Sequence, residues 1–524
     1  MNRLRPSGDP HYDVVVIGGA FAGASAALLL LRARPDARIL LVERSERFGS
    51  KVGEATVEVS ALFLEQVLGL EAHLAEEHLP KHGLRYWFTD GPQRSLEEMT
   101  EVGPVTEPAL HSFQLDRARL DQHLLDLAVD AGAELLRPAR VSGVEHGWPE
   151  TTVRVLGAGG VERHVTCRWV VDASGRFAYL ARRMGLQRRN EEHPTAAAWA
   201  RWHGVADLDA PEIAARLPAI GAVRRYATNH FCGDGWWCWM IPLADARTSV
   251  GLVWDRRLFT PPGAGDVRDR AEAFLRAQPG LRELLAEATV DPDDRHAYSH
   301  LAYRSERYAG RGWALVGDAA AFIDPYYSPG LDHASMSVTA TVRLLTAELA
   351  GSLGDAAHDH AALDAELARH NGEFARSYDR WFDAIYRDKY ELLGDAELVS
   401  SSFLVETALY YLGVVTPGYR QRDSLANPVF GLQLPQAKSA YLVARTFSRR
   451  MVALAHARRR LGIYGRRNAG HRISIRSLKL GRGALPALLL GLRIWLRAEL
   501  ETLAARLRLL PASPRPKQRR ASVS

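Results

Sequence analysis

Residues 13 to 43 carry the spacing from which chemistry can first be argued. Asp13-Val14-Val15-Val16-Ile17 is short, apolar and β-branched, the composition of a strand buried in a parallel sheet. Gly18-Gly19-Ala20-Phe21-Ala22-Gly23 follows, and the Ala- and Leu-rich run from Ala24 to Arg34 predicts a helix. Arg38 to Val42 reads as a second strand, ending at Glu43. Glycines let the backbone turn tightly and approach a pyrophosphate, whose charge a helix N-terminus favours. An acid about 20 residues beyond such a loop is placed to accept ribose hydroxyls. Ala20 stands where the second glycine of a strict G-x-G-x-x-G belongs. The alternative is a βαβ unit with a purely structural glycine turn. Strand, loop, helix and acid together favour a dinucleotide site.

The elements that must position such a site fit a chain of this size. Its 524 residues allow two or three domains and a large core, and 47% hydrophobic with 24% charged residues is a globular composition. The three cysteines, Cys167, Cys232 and Cys238, have no metal-ligand spacing and form no disulfide framework, which fits a reducing cytoplasm. A core strand starts just after a short polar leader, so no signal peptide is expected, and no uncharged apolar run has the length of a membrane span. The net charge of +6 hides an asymmetry. Twenty basic residues and only two acids, Glu499 and Glu501, lie at or beyond Tyr441, so an acidic body of −12 carries a basic tail of +18. Such a tail suggests an anionic partner, and without a recognisable nucleic-acid module a membrane surface or acidic carrier fits better.

Along the chain, Arg47 to Thr56 is a glycine-containing loop and Val57 to Leu70 predicts a helix. Pro80-Lys81-His82-Gly83 turns into the aromatic strand Leu84 to Phe88. Phe113 to Leu120 leads into a helix ending near Ala131, and Arg168 to Arg176 reads as a strand and tight turn. From about Ala196 to His300 aromatic strands and short turns suggest an inserted, mostly antiparallel sheet. Trp313 to Asp318 returns to the buried-strand pattern, 319–330 is a loop and Leu331 to Leu349 a long helix. Beyond Ala361 the chain reads as mostly helical, with a Pro- and base-rich stretch, Arg515 to Arg520, expected to be disordered.

Gly18 to Gly23 with Glu43, then Asp116-Arg117, Asp172-Ala173-Ser174-Gly175 and Gly317-Asp318 stand in the order seen in flavoprotein monooxygenases, which this chain resembles. Within that scaffold Trp237-Cys238-Trp239-Met240-Ile241-Pro242 matches W-x-W-x-I-P, the signature of flavin-dependent halogenases. Gly53-Glu54-Ala55-Thr56 is similar to that family's G-E-A-T loop. Lys81 stands before a strand, where those enzymes carry a catalytic lysine, and Phe322 to Gly330 is similar to their F-x-x-P-x-x-S-x-G loop. The resemblance runs from about Tyr12 to Leu349.

The resemblance implies an α/β fold: a Rossmann-like FAD-binding module, its parallel sheet flanked by helices, with an inserted antiparallel substrate sheet and a helical C-terminal region. The expected divisions are 1–195 and 301–360 for the two parts of the module, 196–300 for the insert, 361–470 for the helical region and 471–524 for a basic amphipathic tail, partly disordered. FAD contacts are expected from Gly18, Ala20, Phe21, Ala22, Gly23, Glu43, Arg44, Lys51, Glu54, Ala55, Thr56, Arg117, Asp318, Ser328, Gly330 and Leu331. Trp237, Trp239 and Pro242 would form the flavin-side wall, Ser328 and Gly330 would hold halide, and no metal is expected. The activity implied is that of secondary-metabolism halogenases. Reduced FAD, O2 and chloride or bromide give hypohalous acid, which Lys81 activates against an electron-rich aromatic carbon. Burial beside Tyr86, Trp87 and Phe88 would lower the lysine pKa, as amine chemistry needs.

Tryptophan halogenases carry a glutamate immediately before the loop serine, and Tyr327 stands there. That favours a phenol or pyrrole, free, lipid-like or carrier-tethered, over free tryptophan. Asp332 and His333 replace neutral or apolar residues; they read as a helix-capping turn or an acid/base pair, the cap being favoured. No second nucleotide unit is visible, so a separate NAD(P)H-dependent flavin reductase is the expected partner. The Leu- and Arg-rich stretch from Ser474 to Leu510 is expected either to lie on an anionic membrane face or to pack on the body. The competing functions are an FAD monooxygenase or reductase on the same scaffold, and a flavin-binding, membrane-associated partner without turnover.

Overall fold

The computed structural model describes residues 11–91, 93–354 and 360–509. Its first strand, β1 (His11–Ile17), buries Val14, Val15 and Val16 completely, as a β-branched run covered on both faces must. It feeds α1 (Phe21–Ala33) and β2 (Ile39–Val42). The expected helix from Val57 begins as α2 (Glu58–Leu62) and widens into a π-helical turn at Phe63–Val67. Strands β3 (Leu84–Phe88) and β4 (Glu101–Pro104) follow. Helix α3 (Arg117–Asp130) is capped by Asp116, whose carboxylate accepts the Ala118 and Arg119 N–H groups. β5 (Glu134–Leu136) and β6 (Glu162–Asp172) lead to a run of strands: β7 (Thr195–His203), β8 (Thr228–Gly233), β9 (Trp236–Pro242), β10 (Thr248–Asp255) and β11 (Thr289–Tyr298). After β12 (Trp313–Leu315) come α4 (Gly330–Leu349), α5 (Ala361–Trp381), α6 (Ala396–Tyr410) and α7 (Pro435–Arg460). β13 (Arg472–Ile475) and α8 (Leu485–Arg506) complete the described chain.

Two large sheets organise these elements. In the first, β12, β6, β1, β2 and β5 run in that order and pair in parallel. Ile17 pairs with both Val42 and Asp172, and Asp172 with Leu315, so four strands end on one edge. In parallel α/β sheets that edge is where ligands bind. The second sheet has the order β11-β7-β10-β9-β8-β3-β4-β13. Its middle is antiparallel, but β8 pairs with β3, and β4 with β13, in parallel. The sheet expected from 196–300 therefore also takes strands from residues 84–104 and from the C-terminal region. Strand alternation splits β9: Trp237 and Trp239 face the large core shared with α5 and α6, whereas Trp236, Cys238 and Met240 face a core under the helix Val267–Ala277.

The C-terminal region packs on the body. Gly491 of α8 lets the helix approach α6 so closely that a Cβ there would lie 2.9 Å from Val405 Cγ2. The Ser401 hydroxyl donates to the Gly491 carbonyl at 2.8 Å. Buried Arg458 of α7 donates to Asp395, Glu397 and Glu501, tying α7 to the start of α6 and to α8. The opposite face of α8 has no partner among the described residues, with Leu489 66% exposed and Leu496, Leu500, Leu503 and, just past its end, Leu507 similarly open. Residues 396–420 have the length and apolarity of a membrane span, yet two thirds of their most apolar window is buried in the protein, as in a core helix. The short leader and Arg515 to Arg520 lie outside the described residues.

Candidate active site

At the carboxyl edge of the parallel sheet, close packing explains two glycines of the first loop. A Cβ at Gly23 would sit 1.8 Å from the Gly18 carbonyl, and one at Gly18, which has φ +98°, 2.6 Å from the Ala173 carbonyl. Glu43, at the end of β2, is buried and accepts the Gly19 N–H and the Ser45 N–H, each at 2.8 Å. Each of its oxygens keeps a lone pair for a hydroxyl. Ala20 precedes α1 without offering a side-chain cap, and the N–H groups that follow Phe21 in its first turn are the ones placed for an anion. Beside it Asp121 accepts from the Phe21 N–H, from Arg117 and from Lys51. Arg117 also lies 5.7 Å from the centre of the Phe21 ring, and Arg44 5.9 Å from that of Phe177. Asp318 follows β12; burial raises its carboxyl, while Arg176 and Arg117 pull it back. An acid at a strand end, the first turn of α1 and two cations form a cradle that fits the ribose and pyrophosphate of FAD.

The structure separates one expected flavin contact from this group. Glu54 turns its carboxylate into the second sheet, where Arg201 of β7 donates through Nε and Nη2 at 2.9 and 2.8 Å. Ala55 and Thr56 continue along the Phe113–Gln114 backbone, with the Thr56 N–H donating to the Phe113 carbonyl. Trp237 and Trp239 share a face as their spacing requires, with ring centres 5.9 Å apart. Each indole N–H has a buried acceptor, Tyr390 Oη and Ser249 Oγ respectively, both at 3.0 Å. The Tyr390 hydroxyl in turn donates to Asp324, which pairs with His193 at 2.8 Å, a fully buried chain from indole to imidazole. Pro242 ends the strand.

The loop 325–330 stores backbone strain. Tyr327 and Ser328 both have positive φ, at 72° and 57°, a region that favours glycine. The Ser328 N–H is already used by the Pro325 carbonyl at 2.9 Å, so of the two expected halide donors the amide of Gly330, which opens α4, is the one still at a free helix end. Leu331 is buried beneath it. Asp332 corrects the expected cap: it does not cap its own helix. Its Oδ1 accepts the Ser60 N–H of α2 at 2.9 Å, and its Oδ2 the Tyr410 hydroxyl of α6 at 2.6 Å. His333 is half-buried and neutral, its pKa depressed to about 4 by desolvation alone, so the two do not form an acid/base pair.

Lys81 is 1% exposed, and its ammonium donates to the Thr56 carbonyl at 2.6 Å. Burial lowers its pKa from 10.5 to about 8, against the opposing pull of Glu58 and Asp332. It lines a cavity of about 160 Å³ together with Tyr327, Pro329 and Asp332 of the strained loop and its helix. The rest of its wall includes Val57, Glu58, Leu84, Pro104, Trp381, Ile385, Tyr386, Phe403, Glu406, Tyr410, Tyr411 and Ile475 to Leu478. The motifs around residues 56, 81 and 327 therefore meet at one cavity. Four of its polar residues carried no signal in the chain. Glu58 accepts the Tyr411 hydroxyl at 2.7 Å, Tyr410 serves Asp332, and Glu406 pairs with the buried Lys389 at 2.7 Å.

Comparison with known proteins gives the family. The family described as FAD binding domain matches residues 11–369. The chain is 29% identical over 453 residues to the flavin-dependent halogenase chlA of Dictyostelium discoideum, covering 80% of this chain and 72% of that protein. It is 26% identical to the 1H-pyrrole-2-carbonyl-[peptidyl-carrier protein] chlorinase of Pseudomonas fluorescens, over 72% of this chain and 83% of the relative. The crystal structure of halogenase PltM in complex with phloroglucinol and FAD superimposes with a TM-score of 0.69 at 18% identity, covering 94% and 96% of the two chains. The chain belongs to the FAD binding domain family, and within it to the flavin-dependent halogenases.

Proposed function

We propose that this enzyme halogenates a phenolic or pyrrolic ring, free or carrier-tethered, held in the Lys81 cavity. The observation that carries this reading is a buried ammonium in the wall of a mostly apolar, aromatic-lined cavity that also contains the strained 327–332 segment. Reduced FAD, held by Glu43, the first turn of α1, Arg117 and Asp318, would supply the chemistry that turns O2 and chloride or bromide into hypohalous acid. The chain's own residues do the rest. Trp237 and Trp239, locked by their N–H bonds, bar the aromatic substrate from the flavin side. Lys81 Nζ donates a hydrogen bond to the hypohalous oxygen, or carries the halogen as a haloamine. The ring takes the halogen, hydroxide leaves and receives a proton as water, and the ring carbon loses its proton, so that Ar–H and HOX become Ar–X and H2O. A cavity of this size is small for a drug-like ligand and suits a one-ring substrate.

A separate flavin reductase in the cytoplasm would supply the reduced cofactor. The open leucines of α8, bordered by Arg493, Arg497, Arg506 and Arg508, suit the surface of an anionic membrane. Replacing Leu489, Leu496 and Leu500 by asparagine should abolish sedimentation with phosphatidylglycerol vesicles and leave turnover unchanged. The central test is product mass after incubation with reduced FAD, O2, bromide and simple phenols. A bromine isotope pattern supports the reading. A gain of one oxygen replaces it with hydroxylation on the same scaffold.

A further inference from the structure

We propose that Asp332 is the general base of the Lys81 cavity, taking the ring proton that halogenation displaces. This deepens the halogenation reading and rests on it. The geometry comes first. Asp332 lines the same cavity as Lys81, at the first turn of α4 and therefore directly beyond the strained loop. Its two oxygens are held by donors from two other elements, the Ser60 N–H of α2 and the Tyr410 hydroxyl of α6. Each oxygen keeps a second lone pair, so a held carboxylate can still accept a proton from the cavity. The position where tryptophan halogenases place a glutamate is Tyr327 in this chain, so a carboxylate must come from elsewhere if one is needed.

Three other titratable groups bear on Asp332. Glu58 of α2 repels its charge, Lys81 before β3 attracts it, and the Tyr386 ring after α5 stands in its field. Tyr410 and Ser60 favour the ionised form by hydrogen bonding. Burial outweighs all of these and raises the carboxyl to about 7, where a base accepts a proton most efficiently near neutrality. The step balances with no added reagent. The arene attacks the halogen of HOX, the O–X electrons leave with hydroxide, and Lys81 protonates that hydroxide to water. The C–H pair then re-forms the aromatic sextet as the proton moves to Asp332. Proton return from Asp332 to Lys81 or solvent closes the cycle. Glu58 is the competing candidate, since it lines the cavity as well; its weaker claim is that Tyr411 alone holds it.

The test uses FAD-loaded enzyme with bromide and 4-methylphenol deuterated at both ortho carbons. Asp332→Asn keeps both hydrogen bonds, since its amide can accept from Ser60 and donate to Tyr410, and removes only the basicity. It should lower kcat about 100-fold, turn an isotope effect near unity into a normal one, and erase the acid limb that wild type shows near pH 7. Tyr410→Phe removes a bond that favours the ionised form and should move that limb upward. An infrared carboxylic acid band that titrates near pH 7 in wild type, shifts with added 4-methylphenol and vanishes in Asp332→Asn gives a readout without turnover. The inference is overturned if Asp332→Asn stays within about twofold of wild type at every pH, or if the limb disappears in Glu58→Gln instead. A wild-type enzyme that brominates no phenol overturns the halogenation reading, and the inference with it.

Discussion

Replacing Lys81 by methionine should abolish halogenation and at the same time relieve the fold of a cost. The ammonium lies in a site where burial depresses its pKa from 10.5 to about 8. That difference corresponds to about 3 kcal/mol of native-state penalty at neutral pH. The hydrogen bond to the Thr56 carbonyl, lost in the variant, offsets about 1.5–3 kcal/mol of it. The net change at pH 7 is therefore small, on the order of 1 kcal/mol in favour of the variant. The pH dependence is the sharper quantity. Below pH 8 both native and unfolded chains hold the proton and the penalty is fully present. Between about 8 and 10.5 the unfolded chain binds a proton that the native chain has shed, so wild-type stability rises with pH relative to the variant. Urea midpoints of wild type and Lys81→Met, measured at pH 7 and again above pH 10, should thus converge or cross in favour of wild type, while other titrations cancel in the difference. The reasoning is refuted if the stability difference does not change with pH, or if the variant brominates a phenol within about tenfold of wild type.

Other outcomes follow from the same structure. Halogenation should fall above about pH 8 as the Lys81 ammonium is lost, and this alkaline limb should vanish in a Lys81→Arg enzyme that retains any turnover. Trp237→Phe deletes the donor to Tyr390 and leaves the Tyr390–Asp324–His193 chain short of one bond; a loss of about 1–3 kcal/mol in stability is expected, together with more free hypohalous acid in a monochlorodimedone assay. Glu43→Ala should weaken FAD binding about tenfold or more in a fluorescence titration, a change of at least about 1.4 kcal/mol. Arg458→Met takes from buried Asp395 the arginine it pairs with, while Glu397 keeps Arg467 and Arg497, and should destabilise the α6–α7–α8 junction by about 3–5 kcal/mol in chemical unfolding.

How much of this was readable in the chain depended on distance along it. The Gly18–Gly23 loop, its helix and Glu43 were legible because strand, turn and acid lie within thirty-odd residues and each obeys a local rule. Lys81, Thr56 and Tyr327 were found as separate motifs, and only the fold shows Lys81 and Tyr327 at one cavity with the Thr56 carbonyl holding the ammonium. Asp332 was misread for a physical reason. An acid in a first helical turn ordinarily serves its own N-terminus, whereas this one reaches across to cap α2 and to hold Tyr410. Tyr410, Tyr411 and Glu406 sit in an apolar helix whose pattern reports burial and nothing of what the buried groups face. Glu54 kept its place in the G-E-A-T loop and lost its side chain to Arg201, a partner nearly 150 residues away that no spacing announces.

The last strand of the second sheet has a bearing on how the enzyme is made. Arg472 and Glu101, joined across that edge, are 371 residues apart in the chain, and Ile475 to Leu478 just beyond form part of the cavity rim. At ordinary synthesis rates a ribosome needs roughly 20–75 s to cover that distance. In the last part of that interval, once Tyr411 has been made, the nascent chain exposes an apolar, tyrosine-rich trough with one side missing, a surface that chaperones are built to hold. A premature stop well beyond the Asp318 codon but before codon 475 should thus leave a protein that has its cofactor cradle but no closed reaction vessel.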